Sequence, residues 1–168
     1  MTLTRRAVVA SGVAATVAAC SPAPIKGRYD GPEVTRVQVY KGSRRLFLFN
    51  DREVLRAYRV HLGFRPDGHK QHRGDGRTPE GSYLINRRNP KSNFHLSLGI
   101  SYPDREDILR AIRRGQHPGG DIFVHGDRRP GIDPDGPDWT AGCIAVRNRE
   151  MEDIYKMVAV GCPIDIFA

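Results

Sequence analysis

Two residue types in this chain, taken with their spacing, point to covalent chemistry. Cys143 follows Gly142 in the run Thr140-Ala141-Gly142-Cys143-Ile144, and His125 closes the apolar run Asp121-Ile122-Phe123-Val124-His125, followed at once by Gly126. A thiol attacks only as its thiolate. It therefore needs a base, a group that orients the base, and N–H donors for the oxyanion that the attack creates. His125 is the natural base, because the end of a strand holds an imidazole rigidly and a neighbouring glycine lets a second stretch of backbone come close. The same residues admit a competing zinc reading with His117, Asp121, His125 and Cys143 as ligands, although no tight pair such as Cys-x-x-Cys or His-Glu-x-x-His is present. His69 and His72, three apart in a Gly-rich stretch, also hint at metal, and exposed loop histidines are the simpler account of them.

These side chains need a scaffold, and the pattern supplies one made mostly of strands. Arg36 to Tyr40 alternates polar and apolar residues, Lys41-Gly42-Ser43 is a turn, and Arg45 to Phe49 is a second extended run: a hairpin signal. Val54 to Leu62 continues as a strand that ends at Gly63. Residues 64 to 81, rich in Gly, Pro, His and Asp, form a long irregular loop of the kind that is usually functional. Tyr83 to Ile85 returns to strand, and Phe94, Leu96, Leu98 and Ile100 alternate with polar or small residues as a half-buried strand does. Asp104 and Asp107 form a capping box for a helix through Ile108, Ala111 and Ile112, with Arg113 and Arg114 suiting its C-terminal dipole and Gly115 ending it. Asn148 is placed to cap a second helix, whose Met151, Ile154, Tyr155 and Val158 recur at helical spacing and which Gly161 ends. Pro163 to Phe167 is a final strand. Tyr40, Phe47 and Tyr58 are expected in the core rather than as carbohydrate-stacking residues. The sum is a mostly β domain with two short helices and no internal repeat.

The chain has three cysteines. Cys143 and Cys162 are candidates for a disulfide, but Cys143 follows a glycine in a polar approach loop, whereas Cys162 sits between Gly161 and Pro163 at the mouth of an apolar strand. Cys162 is read as a packed thiol, which leaves Cys143 free to react.

His125-Gly126, a loop of this length, and Thr140-Ala141-Gly142-Cys143-Ile144 together resemble the active-site motif of the L,D-transpeptidase (YkuD-type) catalytic domain family. Gly74-Asp75-Gly76-Arg77-Thr78-Pro79-Glu80-Gly81 and Ser101-Tyr102-Pro103 match flanking features of that family, and the resemblance runs over about residues 34 to 168. It implies a β-sandwich or barrel-like fold and a catalytic set of His125, Gly126, Gly142 and Cys143. Cys143 attacks the carbonyl before the terminal D-Ala of a peptidoglycan tetrapeptide stem and forms a thioester. His125 moves the protons, the carbonyl of Gly126 orients it, and backbone amides near Gly142 and Cys143 receive the oxyanion. An acceptor amine then resolves the thioester into a 3→3 cross-link or a protein–wall bond, and water makes the enzyme a hydrolase. No metal or organic cofactor is implied. Many members carry His where Ala141 stands and Arg where Ala145 stands, which bears on substrate subtype. A catalytically silent wall-binding lipoprotein is the alternative of another class.

The N-terminus reads as an address. Met1 to Arg6 is positively charged, Ala7 to Ala19 is uncharged and too short to span a bilayer, and Val17-Ala18-Ala19-Cys20 resembles a lipobox, with Cys20 as the acylated residue. Thr4-Arg5-Arg6 also resembles a twin-arginine signal. The expected organisation is a signal peptide over 1–19, a Pro/Gly-containing tether over 20–33 and a catalytic domain over 34–168. The expected product is a monomer facing the periplasm on a lipid anchor, at the outer membrane of a Gram-negative host given Ser21. Composition agrees with a globular chain of 168 residues, with 39% hydrophobic residues and a formal charge of +8. That charge suits a polyanionic partner, but the arginines are scattered and carry no nucleic-acid-binding signature, so no nucleic acid is expected.

Overall fold

The computed structural model describes residues 27–168; the expected signal peptide over 1–19 and the expected acylation site Cys20 lie outside the described residues. Eight strands form one sheet: β1 (Arg36–Tyr40), β2 (Arg45–Asn50), β3 (Glu53–Arg59), β4 (Gly81–Ser92), β5 (His95–Ile100), β6 (Phe123–His125), β7 (Ile144–Ala145) and β8 (Pro163–Phe167). Helix α1 (Arg105–Arg113) lies between β5 and β6 in the chain, and α2 (Asn148–Met157) between β7 and β8. The order across the sheet is β3-β2-β1-β8-β4-β5-β6-β7, with β1–β8 and β6–β7 parallel and the other pairs antiparallel. The fold is therefore mostly β with two helices, as the sequence pattern indicates.

Period-two alternation sets the core. Val37 and Val39 of β1, Leu46 and Leu48 of β2, and Ile164 and Ile166 of β8 share the inner face. The residues between them must then face outward, and this corrects two expectations. Tyr40 has the parity of Arg36 and Gln38, so it is exposed and stacks on Phe167 at 5.0 Å; Phe47 meets it edge-on at 5.8 Å. Only Tyr58 of the three expected core aromatics is buried.

The strand expected over Tyr83 to Ile85 is 12 residues long, because β4 changes partner along its length. Its first residues pair with β8 from Gly81 to Leu84, and the stretch from Ile85 onward pairs with β5. The third strand is shorter than its sequence pattern. Val60 and Leu62 remain buried, but the backbone leaves β2 after Arg59 and bridges Ala145 through His61 and Thr140 through Gly63.

Both helices depart from their sequence reading in detail. The capping box of α1 forms, with Asp104 accepting from the Asp107 N–H at 2.8 Å and Asp107 accepting from the Asp104 N–H at 3.0 Å. Asp107 also takes the Tyr83 hydroxyl at 3.0 Å, which turns Asp107 and Ala111 inward and leaves Ile108 and Ile112 exposed. In α2 the N-cap position is Arg147, whose N–H donates to Glu150 at 3.0 Å. Asn148 is instead the first helical residue, and its side-chain oxygen accepts from the Asp127 N–H at 2.8 Å. Gly161 lies in the turn before β8, beyond the helix end at Met157.

Candidate active site

The parallel pairing of β6 with β7 sets Val124 against Ile144 and His125 against Ala145. Cys143, one residue earlier, falls opposite Phe123 by continuation of that register. Phe123 and His125 share a face, so Cys143 and His125 do too, while Val124 and Ile144 point into the core. The 18-residue separation in sequence is thus closed by two adjacent strand ends.

His125 is 4% exposed. Its Nδ1 lies 2.7 Å from the carbonyl oxygen of Gly126. A carbonyl only accepts, so Nδ1 carries the proton and Nε2 is left with a free lone pair. Phe94 lies tilted over the ring at a centroid distance of 4.4 Å, and Trp139 approaches its edge at 5.6 Å. Gly126 has no room for a side chain: an added Cβ would lie 2.4 Å from Asn148 Oδ1 and 2.6 Å from the Phe94 carbonyl oxygen. Asn148 and the Phe94–His95 step at the start of β5 thus clamp the backbone that orients the imidazole.

The bend that carries Cys143 is built by Thr140. Its hydroxyl donates to the Cys143 carbonyl at 2.7 Å and accepts the Gly142 N–H at 3.1 Å. The Gly142 N–H is therefore engaged, while the Cys143 N–H has no hydrogen-bond partner among the described residues. Gly142 adopts φ +134°, and a Cβ there would lie 2.6 Å from the Arg77 carbonyl oxygen, so the long loop presses directly beneath the nucleophile's bend. Upstream, Asp138 takes three bonds from Arg44, at 2.7, 3.0 and 3.2 Å, and the Leu62 N–H at 2.9 Å, which ties the approach loop to the strands.

Residues 64 to 81 are irregular but internally satisfied. Asp75 accepts N–H groups of Gln71, His72 and Arg77 and pairs with Lys70 at 2.7 Å; these bonds outweigh burial and hold its carboxyl down at about 2. Lys41, 2% exposed, donates to Glu80 at 2.7 Å and to the carbonyls of Gly68 and Thr78. His69 is not an exposed loop residue: its Nε2 lies 2.9 Å from Asp107 and its Nδ1 3.0 Å from the Glu80 N–H. The loop's ionic groups thus anchor it to β1 and α1.

Two cavities meet at the sulfur. One of about 260 Å³ is lined by His125, Phe94, Ser97, Asn89 and Phe123, and one of about 610 Å³ by Lys70, Arg73, Tyr102, Gly119 and Ala141; Cys143 and Asp121 border both. Burial pushes the Cys143 thiol up to about 11, and burial likewise lowers His125 to about 4. Both groups are then neutral at pH 7; they line one cavity, and the Cys143 sulfur lies 3.5 Å from the Asp121 carbonyl, to which the thiol donates. The other residues of the zinc reading are committed elsewhere. Asp121 turns its carboxylate to Arg87 at 2.8 Å, and His117 accepts the Gly119 N–H at 3.0 Å. Cys162 is buried, unpaired with Cys143, and points its sulfur at the carbonyls of Val34 and Pro163.

The structure thus gathers His125, Gly126, Gly142 and Cys143 and keeps Cys162 away. Phe94 and Trp139 complete the surroundings and lie outside the sequence motif, while Thr140, which the motif contains, supplies its hydroxyl to the bend; a lone Trp immediately before the Thr-x-Gly-Cys run is the available signal. A mostly β domain with a cysteine and a histidine on adjacent parallel strand ends defines the class. The L,D-transpeptidase catalytic domain (YkuD) matches residues 34–166, and the chain belongs to that family. It is 26% identical over 128 residues to YafK of Escherichia coli (strain K12), which bears the L,D-transpeptidase name provisionally; the match covers 73% of this chain and 46% of YafK. Among solved structures, the fold is similar to the helical cell shape determining protein Pgp2 of Campylobacter jejuni (TM-score 0.62, 22% identity, 84% of this chain and 52% of that one). It is also similar to Bd1075 of Bdellovibrio bacteriovorus (0.58, 23%, 80% and 48%) and to an L,D-transpeptidase from Mycobacterium smegmatis (0.54, 16%, 80% and 59%). The chain spans about half the length of the curated relatives it matches.

Proposed function

We propose that this chain is a cysteine-dependent peptidoglycan L,D-transpeptidase that acts on tetrapeptide stems through a thioester acyl-enzyme. The observation that carries the reading is the shared cavity of Cys143 and His125, with the imidazole fixed in the tautomer that leaves Nε2 able to accept a proton. Cys143 Sγ attacks the carbonyl preceding the terminal D-Ala while Nε2 takes the thiol proton. The tetrahedral oxyanion is received by the Cys143 N–H, with Gly142 shaping the bend. The C–N bond then breaks, His125 returns the proton to the departing amine, and D-Ala leaves. An acceptor amine attacks the thioester, its proton passes to His125, and the thiol is regenerated as the new amide forms. No step calls on a metal or organic cofactor.

The acceptor is an amine of a second stem, giving a 3→3 cross-link, or of a protein destined for the wall; water in its place makes the enzyme a hydrolase of the same bond. Residues 34–168 are the catalytic unit, a monomer that Cys20 acylation anchors at the periplasmic face of a membrane.

The test is product analysis with purified disaccharide tetrapeptide. Transfer releases D-Ala with formation of a dimer, whereas hydrolysis releases D-Ala with tripeptide alone. Cys143→Ser should abolish both, and His125→Ala should slow D-Ala release by about 10² to 10⁴ while the fold is retained. D-Ala release that survives Cys143→Ser would contradict the proposal.

A further inference from the structure

The two cavities at Cys143 are chemically unlike, and resting on the reaction above this difference fixes which part of the substrate lies where. His125 must hand a proton to the departing amine, and it lines only the smaller cavity. The leaving D-Ala therefore occupies that side, and the acyl part of the stem extends past the sulfur into the larger cavity. Lys70 and Arg73 line that cavity, and its one acidic residue, Asp121, sends its carboxylate outward to Arg87, with the Asp121 side chain 88% exposed.

Lys70 is 3% exposed, and its ammonium donates to Asp75 at 2.7 Å and to the His72 carbonyl at 3.2 Å. An ammonium has three N–H groups, so one remains. Asp75 shares its carboxylate between Lys70 and three backbone N–H groups. The burial of Lys70 is compensated by the buried Asp75 carboxylate, and the ammonium still lines the cavity. The charge also reaches the reacting sulfur, where it opposes the effect of burial on the Cys143 thiol. Arg73, on the same loop, has no ion-pair partner among the described residues, and its backbone N–H is fixed to the His117 carbonyl at 2.8 Å. A cation held rigidly in the wall and a second, unpaired cation at the rim make a receptor for an anion.

We infer that Lys70 and Arg73 form a carboxylate-binding subsite, which makes this enzyme selective for stems whose acyl arm carries a free carboxylate over stems in which that carboxylate is amidated. The ammonium is the fixed contact, and the guanidinium closes over the same group from the solvent side. Both are specificity-determining residues and take no part in proton transfer. Ala141 lines the same cavity with only a methyl group, which leaves the volume open to the arm.

The experiment compares two tetrapeptide stems, both ending in free D-Ala, one with its acyl-arm carboxylates free and one with them amidated. Initial rates of D-Ala release by the full chain give kcat and KM, and intact mass reports the Cys143 adduct. A charge-assisted hydrogen bond contributes about 1.5–3 kcal/mol, so kcat/KM should favour the free stem by about 10- to 100-fold, chiefly through KM. Arg73→Gln and, separately, Lys70→Gln should each raise KM for the free stem and draw the free-to-amidated ratio toward one. Lys70→Arg, which keeps the charge, should restore part of the ratio. Arg73 is exposed, so its variant reports even where Lys70→Gln unfolds. Equal use of the two stems by the unaltered protein, or an unchanged ratio in Arg73→Gln, would overturn the subsite while leaving the reaction intact. Absence of a Cys143 adduct with either stem would overturn the reaction itself and the subsite with it.

Discussion

The neutral state of the Cys143–His125 pair has a sharp kinetic consequence. With the thiol at about 11 and the imidazole at about 4, the two values stand about seven units apart. Moving the proton from sulfur to nitrogen before attack then costs ~10 kcal/mol, less the attraction between the ions formed. Burial of both groups thus disfavours a standing thiolate–imidazolium pair, and transfer accompanies attack on the carbonyl. At pH 7 the thiolate fraction is ~10⁻⁴, against a few per cent for an ordinary thiol. Iodoacetamide, which reacts with thiolate and offers His125 no leaving amine, should alkylate Cys143 about tenfold faster per pH unit, or roughly 10³-fold between pH 6 and pH 9. Substrate turnover should behave differently, because a neutral His125 is the required form. The acid limb of kcat/KM should fall near pH 4 rather than near 6.5. The assay is peptide-resolved alkylation of Cys143 over pH 5 to 10, run beside D-Ala release. Alkylation already on a plateau between pH 5 and 8 would refute the reasoning, since it requires a preformed ion pair.

Other expectations follow from the neighbouring groups. Glu80→Gln keeps an acceptor for buried Lys41 but removes its counter-charge, so stability should fall by about 1–3 kcal/mol in urea titrations while Cys143 acylation persists; loss of the adduct in a folded variant would make Glu80 part of the chemistry. Thr140→Val leaves the Gly142 N–H and the Cys143 carbonyl without the hydroxyl they share, and should slow acylation at least tenfold with a stability loss of about 1–3 kcal/mol. Unchanged acylation there would show that Thr140 does not hold the bend. Acid should weaken the fold in two stages. Buried, neutral His125 has a lowered value, so its contribution is lost as pH falls from about 6.5 to about 4. The depressed Asp75 carboxyl adds ~2 kcal/mol that is present above about pH 4 and lost toward pH 2. Urea titrations of Asp75→Asn should show a smaller loss below pH 4 than the unaltered protein.

Much of this was legible in the residues themselves. Alternation predicted β1 and β5, while β2 and β8 were legible as extended runs, and Gly-Cys with His-Gly singled out the pair that β6 and β7 bring onto one face. What escaped depended on partners far away in sequence. The inward turn of α1 is set by Tyr83 reaching Asp107 from β4, which no helical periodicity in α1 reports. His69 looked like a loop histidine because Asp107 lies 38 positions on. Tyr40 and Phe47 were placed by hydrophobicity rather than by parity with Arg36 and Arg45, and parity decided. At the site, the engagement of the Gly142 N–H by the Thr140 hydroxyl is a matter of backbone bend, which residue types alone do not specify.

The central claim is that Cys143 carries the acyl group, and intact-protein mass after brief incubation with purified tetrapeptide stems tests it most directly. The account predicts one added stem, less its D-Ala, on the unaltered protein, mapped by digestion to Cys143 and absent from Cys143→Ala, with Cys162 unmodified. An adduct that persists in Cys143→Ala or maps to Cys162, or D-Ala release without any adduct and abolished by EDTA, would contradict it.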